Sequence, residues 1–167
     1  MSILNKELYI VQNPALGSIL LYSFVEGYLS EAKKESVPLP LIFIVLPIVF
    51  HSETLKFVIP TRSASGLRTL VNKMSDSSAS KRDLVFDIHN RTHLMKNITL
   101  ESLRICIAKK LLEIEIDKGA IKISSTRIKK SKIKNYNPEM FSASRKLGIW
   151  CSQLNLQEIS MILKVGF

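Results

Sequence analysis

Residues 99–123 read TLESLRICIAKKLLEIEIDKGAIKI, and two periodicities follow each other within this one stretch. In its first half Leu100, Leu103, Ile107 and Leu111 recur at helical spacing, with Thr99 placed to cap the start and Glu101 suited to the first turn. From Ile114 the pattern changes to alternation on either side of Asp117, Lys118 and Gly119, which predicts a β-hairpin. Upstream, Lys81–Met95 places Leu84, Val85, Ile88, Thr92 and Met95 on one helical face. Helix, turn, helix and hairpin is the order found in the second half of a winged helix. The expected class is therefore α+β and mainly helical: a single domain with a winged-helix-like second half and a short β-hairpin.

Outward from there, the chain divides into a helical N-terminal half (1–76), the helix–helix–hairpin unit (81–125), a basic connector (126–137) and a C-terminal helical region (138–167). Asn13 and Pro14 form a helix start, with Asn as N-cap and Pro at the first helical position. The helix they open should run to about Lys34, with Leu16, Leu20, Phe24 and Tyr28 on its inner side. Gly17 and Gly27 lie inside it. Each is explained either by a close backbone approach or as a tolerated defect of about 1 kcal/mol. A second helix, from Pro40 to about Ser52, is apolar all round and should kink at Pro47. Phe57, Val58 and Ile59 should be extended ahead of Pro60, and Ser65 should cap a third helix. Pro138 should open a helix to about Gln153, with Phe141, Leu147, Ile149 and Trp150 on its apolar face.

The 167 residues suit one domain, and 46% hydrophobic content with a mean hydropathy of +0.15 exceeds what a small monomer needs. The excess lies in the stretch VPLPLIFIVLPIVF at 37–50 and in the C-terminal tail. The first is shorter than the ~20 residues of a membrane span and carries three prolines, so no span is expected. Leu41, Phe43, Ile44, Phe50, Trp150 and Phe167 are instead the candidate partner interface. The N-terminus lacks the pattern of a secretory signal, and Cys106 and Cys151 form no disulfide framework; both point to the cytoplasm.

The net charge of +10 predicts attraction to polyanions. Much of it is concentrated in Lys118, Lys122, Arg127, Lys129, Lys130, Lys132 and Lys134, uninterrupted by an acid. These residues could contact nucleic-acid phosphates, dock on an acidic partner face, or simply be solvated. No nucleotide-binding glycine loop, nucleophile motif or zinc pattern is present. His89 and His93 stand four apart without the carboxylate of a metalloprotease helix, and His51 reads as a core-rim or helix C-terminal residue. No catalytic residue, cofactor or metal site is expected.

Several segments taken in order resemble the middle-component family of bacterial three-component ABC ATPase systems, which includes the Lamassu anti-phage systems. They are NPAL at 13–16 with Phe24 and Tyr28, PLP at 38–40 running into LIFIVLPIVFH at 41–51, and IP at 59–60. TLESLRICIAKKLLEI at 99–114, GAIKI at 119–123, KLGIW at 146–150 and ILKV at 162–165 complete the series. The resemblance implies a non-catalytic accessory subunit, encoded between an SMC- or Rad50-like ATPase and an effector, often a nuclease. Such a subunit would bridge the two and couple DNA sensing to the effector; contact of this chain itself with double-stranded DNA is expected from the charge of the basic stretch alone. A free-standing winged-helix transcriptional regulator is the alternative. It would require base-reading side chains on the 99–112 helix, where only Arg104, Lys109 and Lys110 are available.

Overall fold

The structure is a computed structural model that describes residues 13–31, 34–77, 83–125, 128 and 137–167. Its centre is helix α1 (Pro14–Ser30), opened as expected by the Asn13 side chain, which accepts from the Ala15 N–H at 2.7 Å. Leu20, Leu21, Phe24 and Val25 are fully buried, and so are Gly17 and Gly27. A helix apolar around most of its girth needs neighbours on several sides.

After β1 (Val37–Pro38) and a 3-10 turn (Leu39–Leu41) comes α2 (Ile42–Val49). The expected second helix therefore starts close to the predicted place, but Pro47 is not where the chain turns. Pro47 lies within α2, and the break comes at His51, beyond which α3 (Ser52–Val58) leaves at 102°. His51 has extended backbone, and its ring accepts the Thr54 N–H, so it is the N-cap of α3 rather than a helix C-terminal residue. The extended piece expected at 57–59 is instead the end of α3, and Ile59 stays in the α region despite Pro60. Lys146 explains how: its Nζ donates to the carbonyls of Val58, Ile59 and Thr61 at 2.8, 2.6 and 3.0 Å. A cation on the last carbonyls of a helix satisfies orphan acceptors and complements the dipole.

A 3-10 turn (Ser63–Ser65) leads into α4 (Gly66–Asp76), which buries Leu67, Leu70 and Met74. Helix α5 (Leu84–Leu94) is capped by the Asp83 carboxylate, which accepts from Val85 and Phe86 N–H groups. Next is α6 (Lys96–Ala108), which begins one turn before the predicted Thr99 cap; the Thr99 hydroxyl bonds back to the Met95 carbonyl within the helix.

The face of α6 also differs from expectation. Leu103 is buried and Leu111 nearly so, but Leu100 and Ile107 are exposed, and Thr99, Ser102 and Cys106 point inward in their place. The reason is α1: Ser102 lies against Gly17, and Cys106 Sγ donates to the Ser18 carbonyl at 3.0 Å. Helices that approach this closely exclude leucine from the contact.

The predicted hairpin is present as β2 (Leu112–Glu115) and β3 (Ala120–Ile123), with Gly119 left-handed at φ +55° in the turn. Its register pairs Glu113 with Lys122 and Ile114 with Ile121. The short strand β1 adds to the other side of β3, giving the antiparallel order β1-β3-β2.

Helix α7 (Pro138–Ser152) is capped by Asn137 and crosses α1 at two glycines. A Cβ on Gly27 would meet the Arg145 carbonyl, and one on Gly148 would lie 2.8 Å from the Tyr28 nitrogen. Close backbone approach therefore accounts for Gly27, whereas at Gly17 the space is taken by the side chains of Ser102 and Leu46. The Ser144 hydroxyl donates to the Leu20 carbonyl at 2.7 Å across the same crossing. Helix α8 (Leu156–Leu163) starts with a reciprocal Asn155–Glu158 capping box and ends at left-handed Lys164. The buried side chains from α1 through α8 form one continuous core.

Candidate partner interface

The six candidate interface residues separate by burial. Leu41, Ile44 and Trp150 are sealed inside the chain's own core and Phe50 is nearly so, so in this fold they present no surface to a partner. An apolar run is equally suited to an external partner and to its own domain, and here the domain takes it. Trp150 also donates Nε1–H to the Ser63 carbonyl at 2.8 Å, which holds the turn before α4. Phe43 is half-buried and Phe167 is 47% exposed. These two come together, with Leu39 and Pro40, in an open groove of about 340 Å³ completed by Thr92, His93, Lys96 and Gly166.

The groove is positioned by three elements: the 3-10 turn before α2, the junction of α5 with α6, and the segment after α8. His89 secures that last segment, since its Nδ1 accepts the Gly166 N–H at 3.3 Å. With that nitrogen accepting, the neutral ring carries its proton on Nε2, 3.2 Å from Nε2 of His93. Lys164 reinforces the docking, with Nζ 3.9 Å from the Phe86 ring centre and 3.8 Å from the Asp83 carboxylate. Phe43 and Phe167 are the two sequence candidates that line the groove, whereas His93 and Lys96 carry no signal for it until α5 and α6 are placed end to end.

The basic candidates divide differently. Lys118 lies 3.5 Å from Glu115, and Lys122 lies 3.6 Å from both Glu113 and Glu115. Both lysines are thus turned toward acids of their own hairpin. Arg127, Lys129, Lys130, Lys132 and Lys134 lie outside the described residues.

Both cysteines are buried, and burial pushes the Cys106 thiol up to about 12 and that of Cys151 higher still. Neither is set up as a thiolate nucleophile. Among the described residues no cluster of three or more His, Cys, Asp or Glu could hold a metal ion. No single helix among them is long and apolar enough to cross a membrane; only the bent pair Leu39–Val49 with Ser52–Val58 passes by length and composition together.

His51 gives a pH signature. Burial, and then the positive charge of Arg91, push its pKa below the ordinary histidine range. On acidification the unfolded chain takes up this proton first, so the stabilisation is present above that range and lost as pH falls through and below it. His51→Asn keeps an N-cap acceptor without the titration. Its loss of stability between about pH 7 and about pH 5, read from denaturant melts, should be smaller than that of the wild type. Equal losses would remove His51 from the account.

The comparisons with known proteins give one match. Residues 1–167 match the family model described as ABC-three component (ABC-3C) system Middle Component 3. No curated protein and no solved structure matches the chain.

Proposed function

Because the chain belongs to the ABC-three component system Middle Component 3 family along its whole length, we propose that it is a non-catalytic bridging subunit. It is a component of an ABC-3C system, and as a middle component it partners with the other subunits of that system. In our reading those subunits are an SMC- or Rad50-like ATPase and an effector, with a nuclease as the effector chemistry and Lamassu-type anti-phage defence in the cytoplasm as the setting. The whole-chain family match carries the proposal. The inert thiols and the open Phe43–Phe167 groove support it, as features of a chain built to bind rather than to react.

Co-expression with the neighbouring reading frames and pull-down on a tag on this chain tests the reading. Recovery of an ATPase subunit and an effector subunit in fixed proportion is expected. Purification as a stable homodimer that binds DNA without either partner would instead favour a winged-helix regulator.

Contact with double-stranded DNA is the finer part of the proposal, and the helix–hairpin order of α5, α6, β2 and β3 agrees with a winged-helix-like role in it. Since Lys118 and Lys122 face glutamates, the phosphate contacts are assigned to Lys129, Lys130, Lys132 and Lys134 with Arg127. Neutralising those four lysines to glutamine should weaken DNA binding by the assembled complex. It should also reduce the slope of log K against log salt by up to about 0.9 per lost contact. Lys118→Gln and Lys122→Gln should change the slope little. An unchanged slope in the fourfold variant would remove the connector from DNA recognition.

A further inference from the structure

We propose that the outer edge of β2 accepts an extended segment of a partner subunit that carries basic side chains at every second residue. The inference rests on the subunit reading above and adds a surface and a mode of contact.

In the order β1-β3-β2, β2 is an edge strand among the described residues. The Ser124 N–H donates to the Leu111 carbonyl at 3.0 Å, which makes that pair a hydrogen-bonded one. Alternation along the antiparallel ladder then turns the backbone groups of Glu113 and Glu115 toward β3. Those of Leu112 and Ile114 point away from the sheet. The opposite edge is blunted: β1 is two residues long and one of them is Pro38, which has no N–H to offer. β2 carries no proline, and Ile114 is 40% exposed.

The side chains specify the occupant. On one face of the hairpin, buried Leu112 and Ile121 give way toward the tip to Ile114 and then to Ile116, which is 86% exposed. An added strand would extend that apolar face and cover both isoleucines. On the other face stand Glu113 and Glu115, whose cations come from within the hairpin: Lys122 on β3, the inner side, lies 3.6 Å from both, and Lys118 in the turn lies 3.5 Å from Glu115. Because β2 is the outer strand, these carboxylates and not their lysines would stand directly beside an added strand, and opposite charge across that pair favours basic side chains there. A second copy of this chain fits poorly, because antiparallel pairing of two β2 strands about Ile114 sets Glu113 opposite Glu115. Addition of a strand to a sheet edge draws affinity from main-chain bonds and specificity from alternate side chains.

The test uses the full chain co-expressed with the ATPase and effector subunits of its system. In the free chain the Ile114 amide should exchange with solvent, and in the assembly it should be protected at least tenfold. Ile114→Pro removes only an outward N–H and leaves the β3 ladder intact, so it should fold and bind the partners at least tenfold more weakly. The double variant Glu113→Lys, Glu115→Lys should also weaken assembly at least tenfold. Where Ile114→Pro does not fold, exchange in the wild-type assembly decides alone. An assembly that forms with Ile114 still exchanging freely overturns the edge while leaving the subunit reading intact. Binding that survives the charge reversal overturns the basic occupant, and Ile114 protection in a dimer of this chain alone overturns the partner. Absence of any assembly with the wild-type chain overturns the subunit reading and this inference together.

Discussion

Gly148→Val is expected to destabilise the protein by about 4 kcal/mol, beyond the usual range for overpacking because the obstruction is main chain. At position 148 any Cβ points into α1, against the Phe24 carbonyl and 2.8 Å from the Tyr28 nitrogen. Side chains relieve a clash by changing rotamer, whereas backbone in the middle of a hydrogen-bonded helix does not. The only relief is for α1 and α7 to separate, which would break the bond from Ser144 to the Leu20 carbonyl and open space around Leu20 and Leu147. The intrinsic gain from replacing glycine in a helix, about 1 kcal/mol at most, is too small to compensate. A thermal melt should show a fall of roughly 8–16 °C for a chain of this length. Gly119 is the control: it has a positive φ but nothing within 4 Å of a Cβ, so Gly119→Asn should change the melting temperature by no more than about 3 °C. A Gly148→Val protein as stable as the wild type would mean that the crossing is not as close as described.

Trp150→Ala should have a similar effect for the opposite reason, loss of volume. The side chain is fully buried, and its indole N–H satisfies the Ser63 carbonyl. Truncating a buried tryptophan typically loses about 3–5 kcal/mol, and here the Ser63 carbonyl in the turn before α4 also loses its donor. The comparison with Phe167→Ala separates core from surface. Phe167 is 47% exposed and should cost no more than about 1 kcal/mol, although the two aromatics look alike as candidates for a partner surface. Denaturant unfolding of the two variants measures both. If Trp150→Ala is as stable as Phe167→Ala, Trp150 is not the core residue assigned here.

What the sequence made legible was whatever local chemistry specifies. Asn13–Pro14, Pro138 and the Asp117–Gly119 turn each restrict the backbone within a few residues, and α1, α7 and the hairpin lie where those signals put them. The errors arose where the deciding contact is distant in sequence. Ile59 remains helical before Pro60 because Lys146 arrives from α7. Leu100 and Ile107 face outward because α6 meets α1 at a glycine and a serine, a surface that accepts Thr99, Ser102 and Cys106. Burial of Leu41, Ile44 and Trp150 in their own domain has the same origin, since hydrophobicity along a chain does not say what covers it. Strand β1 went unseen because two residues, one of them proline, carry no alternation. Of the groove, Phe43 and Phe167 stood out by type as candidates. Their meeting with His93 and Lys96 was not legible, because it depends on how the segment after α8 returns over α5.

The central claim is that this chain joins two other subunits. It is tested most directly by expressing the ATPase and effector subunits of the system with and without it and weighing the intact assemblies by native mass spectrometry. The account predicts one complex containing all three proteins, and no ATPase–effector complex when this chain is left out. An ATPase and effector that associate equally well in its absence would contradict it.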